Sequence, residues 1–378
     1  MGLYIHVPFC GSVCSYCHFV RTSLHDASLR RRYVDGVVAE LELRRQGCSV
    51  LRAERRPLDT IYLGGGTPSQ LEPALMADLI AGTVDRLPHA DEVEFTAEAN
   101  PESLTDSLAR IWRDLGINRV SLGVQSLDPV VLELLGRVCA PDTARRALRT
   151  AGQTFDRVSA DWILGPGIRP AGLLDELDEA LDLGVEHFSL YILEIHPGTQ
   201  LAEQVADGSV KVAGDLETES VYLAAVEHLA KRGVQQYEVS NFARPGAESR
   251  HNRNYWTGSP WLALGPGAHG FWGNRRYANE DKLTAWLDRI AAGELPEAMV
   301  DRLDGAARQL ERVILPLRTS RGVPLSRLPG ASLDLEKGCA EGLWSVENEH
   351  LVLTSRGFLR IDTVEQWLTE HMVGPQTG

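Results

Sequence analysis

The sequence predicts an α/β protein built on a parallel sheet. Two observations carry that prediction. Short runs rich in β-branched and aromatic residues alternate with helical stretches through the first two-thirds of the chain. Polar or special residues recur where each run ends, the place where parallel α/β folds keep their sites. Six such units in succession imply right-handed crossovers, in either a doubly wound open sheet or a full or partial barrel.

The first strand is expected at 3–7 (LYIHV), with Cys10 just after it and a helix near 28–46. The second, at 60–66, ends in Gly64, Gly65 and Gly66 and leads to a helix near 70–86. The third, at 92–100, carries Glu98 and Asn100 at its end. A helix over 103–115 follows. Ser103 or Thr105 caps it, Leu108, Ile111, Trp112 and Leu115 make one apolar face, and Gly116 stops it. The fourth strand, 119–126, ends near Gln125, with helices near 128–136 and 142–154 behind it. The fifth, 157–165, carries Asp161 and precedes a helix near 172–184. The sixth, 187–193, runs to Tyr191 and Glu194.

From about 235 the pattern changes. Residues 237–273 are dense in Gly, Pro and aromatics, which reads as an ordered, function-bearing loop region. Beyond 300 a small module is expected: a helix at 305–315, another near 333–342, then a hairpin within 343–361 running into a last helix.

Composition sets the class. At 43% hydrophobic and 24% charged residues, the 378-residue chain is of ordinary globular type, long enough for one large domain and a smaller one. No apolar run reaches membrane-spanning length. The start, MGLYIHVPFC, lacks the features of a signal peptide, and residue 6 is His6 where a myristoylation signal needs Ser or Thr. A cytoplasmic location is expected. The net charge of −14 argues against a nucleic-acid partner, and the basic runs at 21–33 and 52–57 read as solvated surface.

Of six cysteines, Cys48, Cys139 and Cys339 are scattered, while Cys10, Cys14 and Cys17 fall within eight positions. In a cytosolic chain this reads as one metal site plus incidental thiols. Three thiolates suit an iron–sulfur cube with one iron left open. They also suit zinc, with His18 or His6 as a fourth ligand. Spacing alone does not separate the two.

The surroundings do. The pattern C-x3-C-x-Y-C-x-F after a YIHVPF strand resembles the radical S-adenosylmethionine superfamily. The YLGGGTPS segment at 62–69 resembles that family's glycine-rich stretch after strand two. The resemblance implies a partial (β/α)6 barrel of TIM type. It implies a 4Fe–4S cluster on Cys10, Cys14 and Cys17, whose open iron binds S-adenosylmethionine and which, once reduced, cleaves it to a 5′-deoxyadenosyl radical. Tyr4, Tyr16, Gly65, Gly66, Thr67, Glu98, Gln125, Arg137 and Asp161 fall where relatives contact that cofactor. Carboxylates, an amide and an arginine are suitable partners for its sulfonium, amino, carboxylate and diol groups.

The match runs over roughly 3–370 and resembles the HemN-like (coproporphyrinogen dehydrogenase-like) branch. It implies a core barrel over 1–235, an aromatic and Gly-rich segment over 236–300 and a C-terminal module over 301–378. Decarboxylating members carry a further cysteine two positions after the third and an N-terminal extension. Here position 19 is Phe19, and nine residues precede Cys10. Both features resemble the heme chaperones of the branch, as does the His-Asn-x-x-Tyr-Trp motif at His251, Asn252, Tyr255 and Trp256. The resemblance implies heme as bound cargo, His251 as an axial ligand, and transient docking to heme-accepting membrane proteins. It leaves open a homodimer, a scaffold role for His251, and the decarboxylase and methyltransferase activities of the branch. Two departures stand out: GRVCA puts Cys139 where relatives carry histidine, and GPGIRPAG replaces GLPGQT after strand five.

Overall fold

The computed structural model describes residues 1–23, 26–47, 56–328 and 335–372. Cys48, residues 24–25 and 52–55 of the two basic runs, and the first two residues of the helix expected at 333–342 lie outside them.

Six strands pair in parallel in chain order: β1 (Gly2–Val7), β2 (Leu58–Gly65), β3 (His89–Ala99), β4 (Arg119–Gln125), β5 (Arg157–Leu164) and β6 (His187–Ile192). Each lies within three residues of its expected bounds at either end. Their crossovers carry α1 (Ala27–Gly47), α2 (Pro73–Gly82), α3 (Asp106–Asp114), α4 (Pro129–Leu134) and α5 (Pro141–Thr154), and α6 (Pro170–Asp182). β1 and β6 do not pair, so the six units form the partial barrel and stay open. The strands bury Leu3, Ile5, Leu63, Ala97, Leu122 and Trp162 almost completely, as strands covered on both faces do.

Local chemistry explains the boundaries. Thr105 caps α3 by accepting from the Leu108 amide at 3.2 Å, and Gly116 takes φ +88° just past the end. Leu108 and Trp112, four apart, face the sheet; Ile111, one position round, is exposed at the edge of the stripe. The helix expected at 70–86 is interrupted. Pro73 starts α2 afresh, and short 3-10 turns flank it at 68–70 and 84–86.

Two helices fall where the sequence pattern raised no expectation, α7 (Gln200–Ala206) and α8 (Asp215–Lys231). α8 buries Val221, Tyr222, Ala225 and Leu229, a helical spacing that is legible in the sequence.

The 237–273 region is more regular than the expected loop. The chain after α8 forms β7 (Gln235–Gln236), β8 (Asn241–Ala243), α9 (Arg250–Thr257), β9 (Trp261–Leu264) and β10 (His269–Trp272). β11 (Arg275–Asn279), α10 (Leu283–Ala291) and β12 (Glu297–Arg302) follow. β9 pairs parallel with β1 and β8 antiparallel with β6, so one sheet of twelve strands results. Unpaired edge groups at β1 and β6 explain this, because each edge finds its hydrogen bonds in later chain.

The remaining chain holds α11 (Gly305–Leu317), β13 (Val323–Pro324), α12 (Leu335–Ala340), β14 (Trp344–Glu347), β15 (His350–Leu353), α13 (Ser355–Leu359) and α14 (Ile361–Met372). It packs its own core of Val313, Leu317, Trp344, Leu351, Phe358 and Leu368. Asn348 and Glu349 both take positive φ in the two-residue hairpin turn. Among the described residues no helix is long and apolar enough to cross a membrane.

Candidate functional site

One cavity of about 440 Å³ opens at the carboxyl ends of β1–β6, a volume within the range of small-molecule sites. Cys10, Cys14 and Cys17 line it from the loop after β1. Gly65, Gly66 and Thr67 enter from the end of β2, Glu98 from β3, Gln125 from β4 and Asp161 from β5. Tyr16 and Arg137 complete the sequence-predicted set that converges there.

The cysteine loop is pinned by backbone. Cys10 N donates to Thr22 O at 3.0 Å, Ser15 N to Leu135 O at 3.3 Å, and Leu201 N to Ser15 O at 2.9 Å. Gly66 is needed because a Cβ would lie 2.8 Å from the Pro8 carbonyl carbon and the Val7 oxygen. The thiols are unpaired, and burial pushes Cys10 and Cys17 above the ordinary thiol range. Thr67 Oγ1 donates to Cys10 Sγ at 3.6 Å and Arg137 Nη1 to Cys14 Sγ at 3.4 Å.

Among the described residues no three His, Cys, Asp or Glu side chains converge to hold a single metal ion. His6, the alternative zinc ligand, is buried; Nε2 donates to the Val20 carbonyl at 2.7 Å and Nδ1 lies 3.1 Å from the Tyr4 hydroxyl. Three thiols sharing a cavity without focusing on one point suit a cube, in which each binds a different iron.

The floor is anionic. Glu98 accepts from the Tyr62 hydroxyl at 2.8 Å and the Gly65 amide at 3.0 Å, and Asp161 from Ser121 Oγ at 3.3 Å. Burial pushes Glu98 up to about 7 and Asp161 up to about 6, and the neighbouring Asp161 charge raises Glu98 further. Arg137 donates to Gly123 O at 2.8 Å and to Asn100 Oδ1 at 3.3 Å, leaving its buried Nε without a partner. Gln125 holds a left-handed φ of +70° where the β4–β5 register shifts, and its buried Oε1 has no partner. Strain and orphaned polar atoms at one place mark a site built for a polar ligand. The set fits S-adenosylmethionine: carboxylates for its cationic groups, Arg137 for its carboxylate, Gln125 for a donor.

Tyr4 does not line the cavity; it stacks on Tyr62 inside the barrel, 6.1 Å between ring centroids. The His-Asn-x-x-Tyr-Trp group lies elsewhere as well. His251 Nδ1 is 2.9 Å from Thr60 Oγ1, near the start of β2, and Nε2 is 3.0 Å from the Tyr255 hydroxyl. The residue is 1% exposed, and burial lowers its imidazole to about 3. Expected to meet heme iron, it has neither nitrogen free in this conformation. Glu94 accepts from the amides of Arg250 and His251 at the start of α9, and Trp256 donates to Glu238 at 2.8 Å. Asn252 reaches the polar barrel interior beside Ser249 and Arg119. The motif thus ties α9 to the barrel floor. Cys139 is buried and does not line the cavity.

Other lining residues stand outside the fixed positions of the sequence motifs, among them Ser12, Arg21, Ser121 and His196. Ser121 was findable, since it shares a strand face with Gly123 and Gln125. Arg21 and His196 reach the mouth from irregular loops, where no period signals a side chain's direction.

The chain's similarity to known proteins agrees with this arrangement. The profile of the radical SAM superfamily matches residues 4–180. The chain is 37% identical to heme chaperone HemW of Mycobacterium tuberculosis, over 97% of this chain and 94% of that protein. It is 31% identical to heme chaperone HemW of Bacillus subtilis, over 88% and 87%. It is 34% identical to the bovine mitochondrial radical S-adenosyl methionine domain-containing protein 1, over 86% and 70%. Its fold is similar to that of the radical SAM enzyme coproporphyrinogen III oxidase (HemN) of Escherichia coli. The TM-score is 0.82 at 20% identity, covering 97% of this chain and 89% of that one. With its cysteine loop, open parallel barrel and full-length relatives, the chain belongs to the radical SAM superfamily and, within it, to the HemW family of heme chaperones.

Proposed function

We propose that the protein holds a 4Fe–4S cluster on Cys10, Cys14 and Cys17, binds S-adenosylmethionine in the adjoining cavity, and takes up heme for delivery to membrane-bound acceptors such as respiratory cytochromes. The observation that carries the cofactor reading is a pair of half-buried carboxylates, Glu98 and Asp161, facing three unpaired thiols in one cavity. A cation placed between them relieves their mutual repulsion and replaces the water they lost on burial. When bound, the reduced cluster supplies the electron that cleaves S-adenosylmethionine. The chain's own residues bind and orient: Tyr16 within the cluster loop, Gly65, Gly66 and Thr67 as a backbone cradle, and Gln125 and Arg137 as polar clamps. The heme reading rests on family membership and on Phe19, which stands where decarboxylating relatives carry a cysteine and is 57% exposed at the mouth. We place the protein in the cytoplasm, with transient docking at the membrane.

The test is anaerobic purification with iron and sulfide quantified, followed by heme titration and a coproporphyrinogen assay. Four irons per chain with stoichiometric heme uptake and no decarboxylation is the expected result. Turnover of coproporphyrinogen to protoporphyrinogen would overturn the chaperone reading, and zinc in place of iron would overturn the cluster.

A further inference from the structure

The mouth of the cavity carries two imidazoles that the cluster and its cofactor leave unused. His18 follows Cys17 directly, and its ring packs on His196, with centroids 3.6 Å apart and planes at 37°. The His18 ring also stacks on Phe19, at 4.8 Å and 28°. His18 is exposed, and neither of its ring nitrogens has a hydrogen-bond partner among the described residues. That contrasts with His6 and His251, both buried with both nitrogens engaged. His196 is held differently, its Nε2 lying 3.4 Å from the Glu194 carboxylate.

The neighbourhood is apolar. Phe19 and Ile192 line the mouth beside the pair and are both exposed, and exposed apolar groups at a cavity mouth mark a site. Arg21 lines the same mouth, and its buried Nε has no partner. A bare imidazole, a flat apolar rim and an arginine match the three chemical parts of heme: iron that takes axial histidine, an apolar macrocycle, and carboxylate side chains.

We propose that heme is held at this rim, with His18 as axial ligand to its iron and His196, braced by Glu194, as the residue that positions the His18 ring. This rests on the heme-chaperone reading above and assigns the iron to a place other than the buried His251. Axial ligation forms one bond from an imidazole lone pair to iron and needs no redox partner. A ligating histidine must have its ring orientation fixed by its surroundings, and His196 is the ring that packs on His18.

The test uses the full-length, anaerobically reconstituted chain titrated with hemin and followed by difference absorption spectra. The variants are His18→Ala and His196→Ala; both side chains are solvent-accessible, so circular dichroism should match the parent. The expected result is a shifted Soret band and binding at least about tenfold weaker in His18→Ala. Added imidazole should restore the parent band, which a merely structural role would not allow. His196→Ala should weaken binding less and keep the band. A His18→Ala chain with parent affinity and spectrum overturns the assignment while leaving heme uptake intact. A parent chain that takes up no hemin overturns the heme-chaperone reading itself, so the two failures are distinct.

Discussion

Glu98 and Asp161 set the chemistry of the cavity at the residue scale. Their carboxyls sit at about 7 and about 6, above the ordinary 4.5 and 3.8, because burial disfavours the charged forms. A carboxyl raised in the folded state binds its proton more tightly there than when unfolded. Its contribution to stability is therefore complete below the ordinary value and is lost as pH rises through the folded value. The ligand-free chain should thus lose stability between about pH 4 and pH 7 from these two groups. Asp161→Asn should flatten that fall and stabilise the ligand-free chain at pH 7 by on the order of 2 kcal/mol. Ser121 can turn its hydroxyl to suit the amide. Chemical denaturation across that pH range checks it, and a variant whose profile overlays the parent's refutes it. The same substitution should weaken S-adenosylmethionine binding, read by isothermal titration, because a cationic ligand loses a counter-charge.

Arg137 belongs to the same scale. It spans Cys14, Asn100 and the Gly123 carbonyl, with Nε left over. Arg137→Lys keeps the charge but loses the fork, so it should weaken cofactor binding by about tenfold or more. Cluster loading, read as iron per chain, should change little, since the thiols remain.

A buried network decides how the elements join. Arg44 on α1 donates to Glu40 at 2.8 Å, to Glu297 on β12 at 2.9 Å and to Asn279 on β11 at 2.8 Å. Glu40 accepts in turn from Trp286 at 3.1 Å and from the Gly265 amide at 2.8 Å. Glu40 and Arg44 are at most 4% exposed, so removing either partner strands the other charge in the interior. Glu40→Ala should therefore destabilise by roughly 3–5 kcal/mol, visible as a lower denaturation midpoint. Arg31→Ala, at an exposed pair with Asp78, should change it by less than about 1 kcal/mol. Equal effects at the two sites would refute the network's role. Elements at this scale were unevenly legible. The α3 cap and the six parallel strands carry local signals in Thr105 and in dense β-branched runs. Strands β9–β12 do not, because β9 forms on the open edge of β1, more than 250 residues earlier, and β10–β12 add to it in turn.

For the whole molecule, the cluster loop rides on a finished frame. Its backbone is pinned to β1, β2 and the turn after α4, and the main core lies beneath it. A triple Cys10, Cys14, Cys17→Ser chain should keep its secondary structure, with a melting temperature within about 3 °C of the cluster-free parent. Far-ultraviolet circular dichroism and thermal scans check it; loss of cooperative unfolding would show that the cysteines support the fold.

The sequence by itself determined the alternating strands and helices, the three cysteines and the polar residues at the strand ends, because each is a local pattern of period, spacing and composition. Only the tertiary structure decided which of those residues share a cavity. Tyr4 and His251 carry the same kind of motif signal as Glu98 and Arg137, yet Tyr4 turns into the barrel and His251 anchors a helix at its floor. His18 and His196 are separated by almost half the chain and face each other across its mouth. The physical reason is direction: a strand or helix fixes which way a side chain points only once its partners are placed, and those partners come from distant parts of the chain.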